Sequence, residues 1–259
     1  MWFRGWGFEL LHRTRMLGIT QRRADWLTKW SREVAAAPVV NMASFEEGLG
    51  RVMYVVSALE YERPFLAPLY RFMTMHPRGS SRRVPAYVRF ILNYLAEEVS
   101  ETRHYPCDSV LWNQTCSPRV DAQASDDRTG VGGWLPYLDE QGRAVPKKSA
   151  WFSLEVSPKD FPWVFVRGRK PSQIISTLEA LAVLLSLNLF AAQQPEGRRQ
   201  RVTILPTWTD NRGNGSVLNK LMTTRYPSSA LVMELAAEMK KSSVKAQVEW
   251  TPREFNREA

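Results

Sequence analysis

Cysteine and histidine are scarce in this chain, two of one and three of the other in 259 residues. Cys107 and Cys116, nine positions apart, cannot build the dense cross-linking on which small secreted domains depend. The pair could form one disulfide in an oxidising compartment, but a domain of this size needs no such staple, and the reading preferred is two free thiols of a reducing, intracellular one. The same scarcity leaves His104, Cys107 and Cys116 without a fourth zinc ligand nearby, at a spacing that matches no closed site. Long apolar runs are missing as well. The longest, Leu178 to Ala192, is broken by Glu179, Ser186 and Asn188 and falls short of the ~20 apolar residues of a spanning helix. The N-terminal Met1-Trp2-Phe3-Arg4-Gly5-Trp6 lacks the basic, apolar and small-residue order of a secretory signal. These gaps argue against a membrane partner. No internal repeat or low-complexity tract occurs.

What is present is a foldable core and an excess of positive charge. Hydrophobic residues make up 44% and aromatics 11%, which excludes a disordered chain and suits one or two domains. Lysine and arginine outnumber aspartate and glutamate 35 to 26, for a net charge of +9 and a pI near 9.8. Residues 1–105 hold 15 basic and 10 acidic groups, so the excess is shared between the halves. That distribution fits a polyanion lying along the chain, since neutralised phosphates release counterions; it also fits a merely soluble surface.

The first half reads as helical. Trp6 to Gly18 has the pattern of a hairpin, and Thr20 stands as the N-cap of a helix reaching about Glu33, with Ala24, Leu27 and Trp30 on one face. Val39 to Tyr61 predicts a second helix with Phe45, Leu49, Val52, Met53, Val56 and Leu59 on a common stripe, ended by Arg63-Pro64. Met75 to Pro85 has linker composition. Val88, Ile91, Leu92, Leu95 and Val99 mark a further amphipathic helix. Residues 102–118 are polar and irregular, and the domain boundary is placed there, giving domains of 1–105 and 106–259.

The second half changes period. Val120 to Ala124, Val131 to Tyr137 and Trp151 to Val156 predict an antiparallel meander. A helix over Ser172–Ala192, a buried strand over Arg201–Thr209, helices over Ser216–Thr223 and Ser228–Lys240, and a strand over Ala246–Trp250 follow. The order is β-β-β-α-β-α-(α)-β. Trp134, Trp151, Trp208 and Trp250 lie in strands and read as core.

Three acids stand out in that order. Asp121 interrupts an apolar strand between Val120 and Ala122, where a bare charge is costly to bury without a metal or a donor; an edge or turn hydrogen bond is the plainer alternative. Glu179 interrupts a helix whose face of Ile174, Ile175, Leu178, Leu181 and Leu185 packs on the sheet. It is either an inward carboxylate or a surface one. Asp210 ends the strand Val202–Thr209, the strand end where ligand sites gather in sheets with helical crossovers, or else caps the next helix. Converging carboxylates from separate elements suit two Mg²⁺ or Mn²⁺ ions roughly 4 Å apart, as phosphodiester hydrolysis requires.

On these residues the resemblance can be named. Asp121-Ala122-Gln123-Ala124-Ser125 with Gly130-Val131-Gly132-Gly133-Trp134, Leu178-Glu179-Ala180 and Thr209-Asp210-Asn211 resemble the ribonuclease H domain of a retroelement reverse transcriptase, of tyrosine-recombinase or gypsy-like type. Gly7-Phe8-Glu9-Leu10 through Leu17-Gly18-Ile19 is similar to the primer-gripping hairpin. The stretch from Phe45 to Tyr70 is similar to the thumb and connection region. The resemblance implies a ribonuclease H-like α/β fold, a mixed five-stranded sheet with helices, behind a small mainly helical domain. It implies hydrolysis of the RNA strand of an RNA–DNA hybrid, with Asp121, Glu179 and Asp210 as catalytic metal ligands. Ser125, Asn211, Arg212, Asn214, Arg198 and Arg199 would contact nucleic acid, and Lys240, Lys241 and Lys245 could follow phosphates beside them. The paired aspartates of a polymerase are absent. The family's closing motif resembles Trp250 to Ala259 followed by an aspartate, so the resemblance implies a second metal site weakened by the want of that fourth carboxylate, with Glu254 or Glu258 as poor substitutes. The expected setting is a longer polyprotein. The alternatives are a domesticated or decayed copy that binds nucleic acid or serves as a structural subunit without cutting, and an integrase-type or junction nuclease on the same fold.

Overall fold

The structure, a computed structural model, describes residues 2–5, 8–111, 117–125, 128–165, 170, 173–191 and 201–256. The chain divides into two compact units, Met1–Asp108 and Ser109–Ala259.

In the first unit, strands β1 (Trp2–Gly5), β2 (Phe8–Leu11) and β3 (Met16–Ile19) precede helix α1 (Gln21–Ala36). Thr20 is the N-cap residue by position, yet its side chain makes no capping bond. Strand β4 (Val39–Asn41) and helix α2 (Met42–Val56) come next. The helix expected from Val39 thus begins three residues later, because the Asn41 side chain accepts from the amides of Ala43 and Ser44; an Asx cap of this kind fixes the first turn. Phe45, Leu49, Val52 and Val56 are buried as the stripe required, but Met53 lies 54% exposed. A 3₁₀ segment over Glu60–Phe65 leads into α3 (Leu66–Thr74). The linker-like stretch contains β5 (Ser81–Arg83), which pairs with β4; α4 (Ala86–Glu101) and β6 (His104–Pro106) close the unit. The strand order is β1-β2-β3-β6, so the expected hairpin is widened by a strand on each side. Buried Glu9 joins the hairpin to β6 through Arg103, at 3.3 Å, and the His104 ring, at 3.0 Å. His104 is therefore committed to a carboxylate. Cys107 is a free, exposed thiol, and Cys116 lies outside the described residues.

The second unit opens with the short β7 (Ser109–Leu111), then β8 (Arg119–Ala124), β9 (Thr129–Leu135) and β10 (Ala150–Glu155). Helix α5 (Ile175–Ala191), β11 (Val202–Thr209), α6 (Arg212–Lys220), α7 (Ser228–Ser242) and β12 (Val244–Trp250) complete it. The sheet runs β10-β9-β8-β11-β12, with β7 also paired to β11, a sixth strand that the polar composition of 102–118 hid. β8, β9 and β10 are antiparallel neighbours; β11 is parallel to β12, β7 and β8. The α6–α7 connection between β11 and β12 is the helical crossover that adjacent parallel strands need.

Helix α5 packs on β8 and β9 on one side and on α7 on the other. That explains a helix apolar nearly all round rather than along one stripe. Leu178, fully buried in the first turn of the helix, is a direct probe of this layer. Leu178→Ala should destabilise the protein by about 2–5 kcal/mol, from lost transfer energy and the cavity left behind, as read from urea unfolding of the full chain. A loss below ~1 kcal/mol would mean the layer is not packed as described.

On the other face, Arg119 pairs with Trp134, and Trp134 with Trp151. Strand alternation sets these side chains opposite Val120 and Val131, which face α5. Trp151 is accordingly 72% exposed and Trp250 39% exposed, so these two strand tryptophans are not the core residues their setting suggested.

Candidate active site

Three local devices bring the acids towards one end of the sheet. Asp121 is the third residue of β8 and is half-buried; its Oδ1 accepts from the Ala122 amide at 2.8 Å. Because Trp208 of β11 lies in parallel register with Arg119 of β8, Asp210 follows at the level of Asp121. Asp210 sits one residue past the end of β11, and the cap of α6 is instead Asn211, which accepts from the amides of Gly213 and Asn214. Helix α6 starts at Arg212, four residues earlier than its apolar residues indicated, for that reason. Glu179, in the second turn of α5, is 4% exposed.

The helix glutamate is held from two sides. Thr209 Oγ1 donates to its Oε2 at 2.8 Å and Asn211 Nδ2 to its Oε1 at 3.2 Å. Burial is the largest push on the Glu179 pKa, the two hydrogen bonds oppose it and the charges of Asp210 and Asp121 add to it, so that it rises from 4.5 to about 7. Burial likewise raises Asp121, with the Asp210 charge adding to it and the Ala122 amide and the Arg253 charge opposing. Carboxylates that disfavour one another's ionisation in a partly dry site are an arrangement folded proteins keep chiefly where it is used.

The geometry stops short of a closed ligand shell. Among the described residues no three His, Cys, Asp or Glu side chains stand where they could hold one metal ion. The cause is visible in the partners: Glu179 is tethered to Thr209 and Asn211 on the helix side. Strand alternation turns Asp121 to the opposite face, and Asp210 meets Arg253 at 3.7 Å. The donor chemistry, three hard carboxylates with an excess of negative charge, fits Mg²⁺ or Mn²⁺; the rotamers present do not close on it.

The other residues singled out from sequence divide into engaged and free. Asn211 works inside the protein, as helix cap and Glu179 donor. Asn214 is buried and gives its amide to the Ser176 carbonyl at 2.8 Å, so it offers no surface to a ligand. Ser125 closes the β8–β9 turn through Arg128 and is exposed there. Arg212 is exposed and lies over the Trp250 ring, 3.9 Å from its centre. Lys241 is paired with Glu238 at 3.4 Å. Arg198, Arg199 and Glu258 lie outside the described residues. Glu254 is exposed in the 3₁₀ turn Arg253–Phe255.

Sequence reasoning missed Thr209, Trp250 and Arg253. Thr209 carried a signal, a polar residue closing an apolar strand directly before an acid. The Trp250 indole bonds the Asp210 carbonyl at 3.0 Å, and Arg253 arrives from a turn whose path no periodicity reveals. Asn211→Ala removes both the cap and one Glu179 donor; it should cost about 1–3 kcal/mol, measured by chemical denaturation. A change under ~0.5 kcal/mol would show that neither bond matters to the fold.

No family model matches this sequence, and no curated protein matches it. Among solved structures, the chain is similar to the RNase H1 of the halophilic archaeon Halobacterium salinarum, at 14% identity and TM-score 0.36, over 56% of this chain and 90% of that one. It is similar also to the N-terminal RNase H domain of rv2228c from Mycobacterium tuberculosis, at 14% identity and TM-score 0.35, over 59% and 88%. A third likeness is the protease-reverse transcriptase of prototype foamy virus, at 10% identity and TM-score 0.28, covering 69% of this chain and 25% of that one. At such identities and TM-scores, these likenesses carry no argument about function. The second unit has a mixed α/β, ribonuclease H-like fold.

Proposed function

We propose that the second unit hydrolyses the RNA strand of RNA–DNA hybrids, as the C-terminal part of a retroelement reverse transcriptase. The observation that carries this reading is Glu179: a carboxylate buried in an apolar helix, bonded by Thr209 and Asn211, and disfavoured as an anion by burial and by Asp210 and Asp121. A fold that wanted only stability would place a leucine there. Asp121, Glu179 and Asp210 would hold a divalent cation, which when bound supplies an acidic water and a stabilised leaving oxygen.

The chain's own residues do the rest. Thr209 and Asn211 fix the rotamer of Glu179, the preorganisation that metal ligands need from their neighbours. Gly132, opposite Asp121 in the hairpin, leaves that side of the strand without a side chain. Arg212 and Arg253, exposed beside the acids, supply charge for the phosphates that position a duplex. No helix among the described residues is long and apolar enough to cross a membrane.

A second reading, a nucleic-acid-binding unit that does not cut, is favoured by the lack of a closed ligand cluster among the described residues. One experiment separates them. The full chain is incubated with a labelled RNA–DNA hybrid in Mg²⁺, in Mn²⁺ and in chelator. Metal-dependent shortening of the RNA strand supports the nuclease; binding of the hybrid with no cleavage in either ion rejects it for the second reading.

A further inference from the structure

The acidic cluster is partly neutralised from within. Arg253 Nε lies 3.7 Å from Asp210 Oδ2, and the same guanidinium is the charge that favours ionised Asp121. Its position is built rather than incidental. The turn Arg253–Phe255 is fastened to strand β8 at two points: Arg119 donates to the Phe255 carbonyl at 2.7 Å, and Asn256 Nδ2 to the Val120 carbonyl at 2.9 Å. Asn256 is 3% exposed. Val120 is the residue before Asp121, so the strand that bears the first acid also anchors the turn that bears the arginine. The arginine side chain itself remains 85% exposed, free to swing away without unpacking anything.

We propose that Arg253 is the resident counter-cation of this site, holding the Asp210 carboxylate to itself so that a divalent ion must displace it to bind. The inference rests on the reading of Asp121, Glu179 and Asp210 as metal ligands, and it accounts for the part that Asp210 plays in keeping them apart. Asp210 can face the guanidinium or an ion shared with Asp121, and one charge of +1 is exchanged for one of +2. The competition is electrostatic, so it weakens as salt screens the exposed arginine.

The test is Mn²⁺ binding alone, without nucleic acid or turnover, by calorimetric titration of the metal-free full chain at low ionic strength. Arg253→Ala should bind Mn²⁺ about five- to tenfold more tightly than the unaltered protein, the effect of removing one charge several ångströms from the ion. Arg253→Lys should fall between them. Arg143→Ala, which removes an exposed arginine paired with Asp139 at 3.1 Å, controls for net charge and should leave the affinity unchanged. The advantage of Arg253→Ala should shrink towards twofold or less in ~1 M salt. Equal affinities for Arg253→Ala and the unaltered protein overturn the displacement while leaving the ligand assignment intact, provided Asp121→Asn abolishes binding. Absence of Mn²⁺ binding in every form overturns both.

Discussion

Asp121→Asn should lower metal-dependent cleavage of a hybrid by about a thousandfold and, in the same molecule, leave the fold more stable than before. On the proposed nuclease reading, the first effect follows from removing a charged ligand. An ion held by two carboxylates instead of three loses both affinity and position, and about 4 kcal/mol of transition-state stabilisation corresponds to three decades in rate. The second follows from the environment of this carboxyl. Burial and the Asp210 charge raise its pKa, so at neutral pH the ionised form works against folding. The amide keeps the one internal bond Asp121 makes, since the oxygen accepting from Ala122 remains an oxygen. With solvent screening at a half-buried site, the gain should be small but positive. Opposite signs for activity and stability mark a residue kept for chemistry. Cleavage by gel and melting by calorimetry, on one preparation, check both. Retained cleavage removes Asp121 from the site; lost cleavage together with a lower melting temperature makes it a structural residue.

The acids were legible in the sequence because each violates its local pattern. Asp121 breaks an apolar strand, Glu179 an apolar helix, and Asp210 terminates a run of strand-forming residues. Element type was readable wherever period dominated: β8 to β10 and β12 alternate, and α4 shows its stripe. Boundaries failed where a side chain acts through the backbone. Asn41 and Asn211 set the starts of α2 and α6 by capping, and neither belongs to the apolar pattern. β7 escaped notice because a three-residue strand inside a polar stretch has no period to detect; its partner β11 makes it a strand.

The tryptophans failed for a different reason. Alternation tells which residues share a face, but not which face is covered. Trp151 pairs with Trp134 in a cross-strand row with Arg119 on the side away from α5, whereas from sequence a place in a strand reads as burial. The Arg253 contact was equally invisible: it depends on Asn256 and Arg119 binding strand carbonyl and turn, two long-range bonds in a sequence that carries no motif for either. What reads from sequence is thus the inventory of acids and the order of elements. What reads only from coordinates is how the charges are partnered when no ion is bound.

That partnering makes Glu179 the site's strongest source of pH dependence. Its folded pKa, about 7, stands above the 4.5 of an unperturbed glutamate, so between those values the folded state binds a proton that the unfolded chain has released. Unfolding free energy must then fall as pH rises through this window. The contribution of Glu179 is fully present below about 4.5 and gone above about 7, amounting to about 3 kcal/mol at 1.36 kcal/mol per unit. Denaturation curves of the metal-free protein from pH 4.5 to 8 should show that downward slope over and above the behaviour of the exposed groups. Glu179→Gln should flatten it. The substitution removes the charge but also one acceptor, because the amide nitrogen only donates and the one oxygen left faces either Thr209 or Asn211, so the net gain at pH 8 should be about 1–2 kcal/mol rather than the whole amount. A divalent cation binds the ionised carboxylates only, and its affinity should therefore climb through the window in which metal-free stability declines. If Mn²⁺ affinity rises between pH 6 and 8 in the unaltered protein and is flat and weak in Glu179→Gln, one buried carboxyl accounts for both trends. A stability profile that is the same with and without Glu179 would break that link.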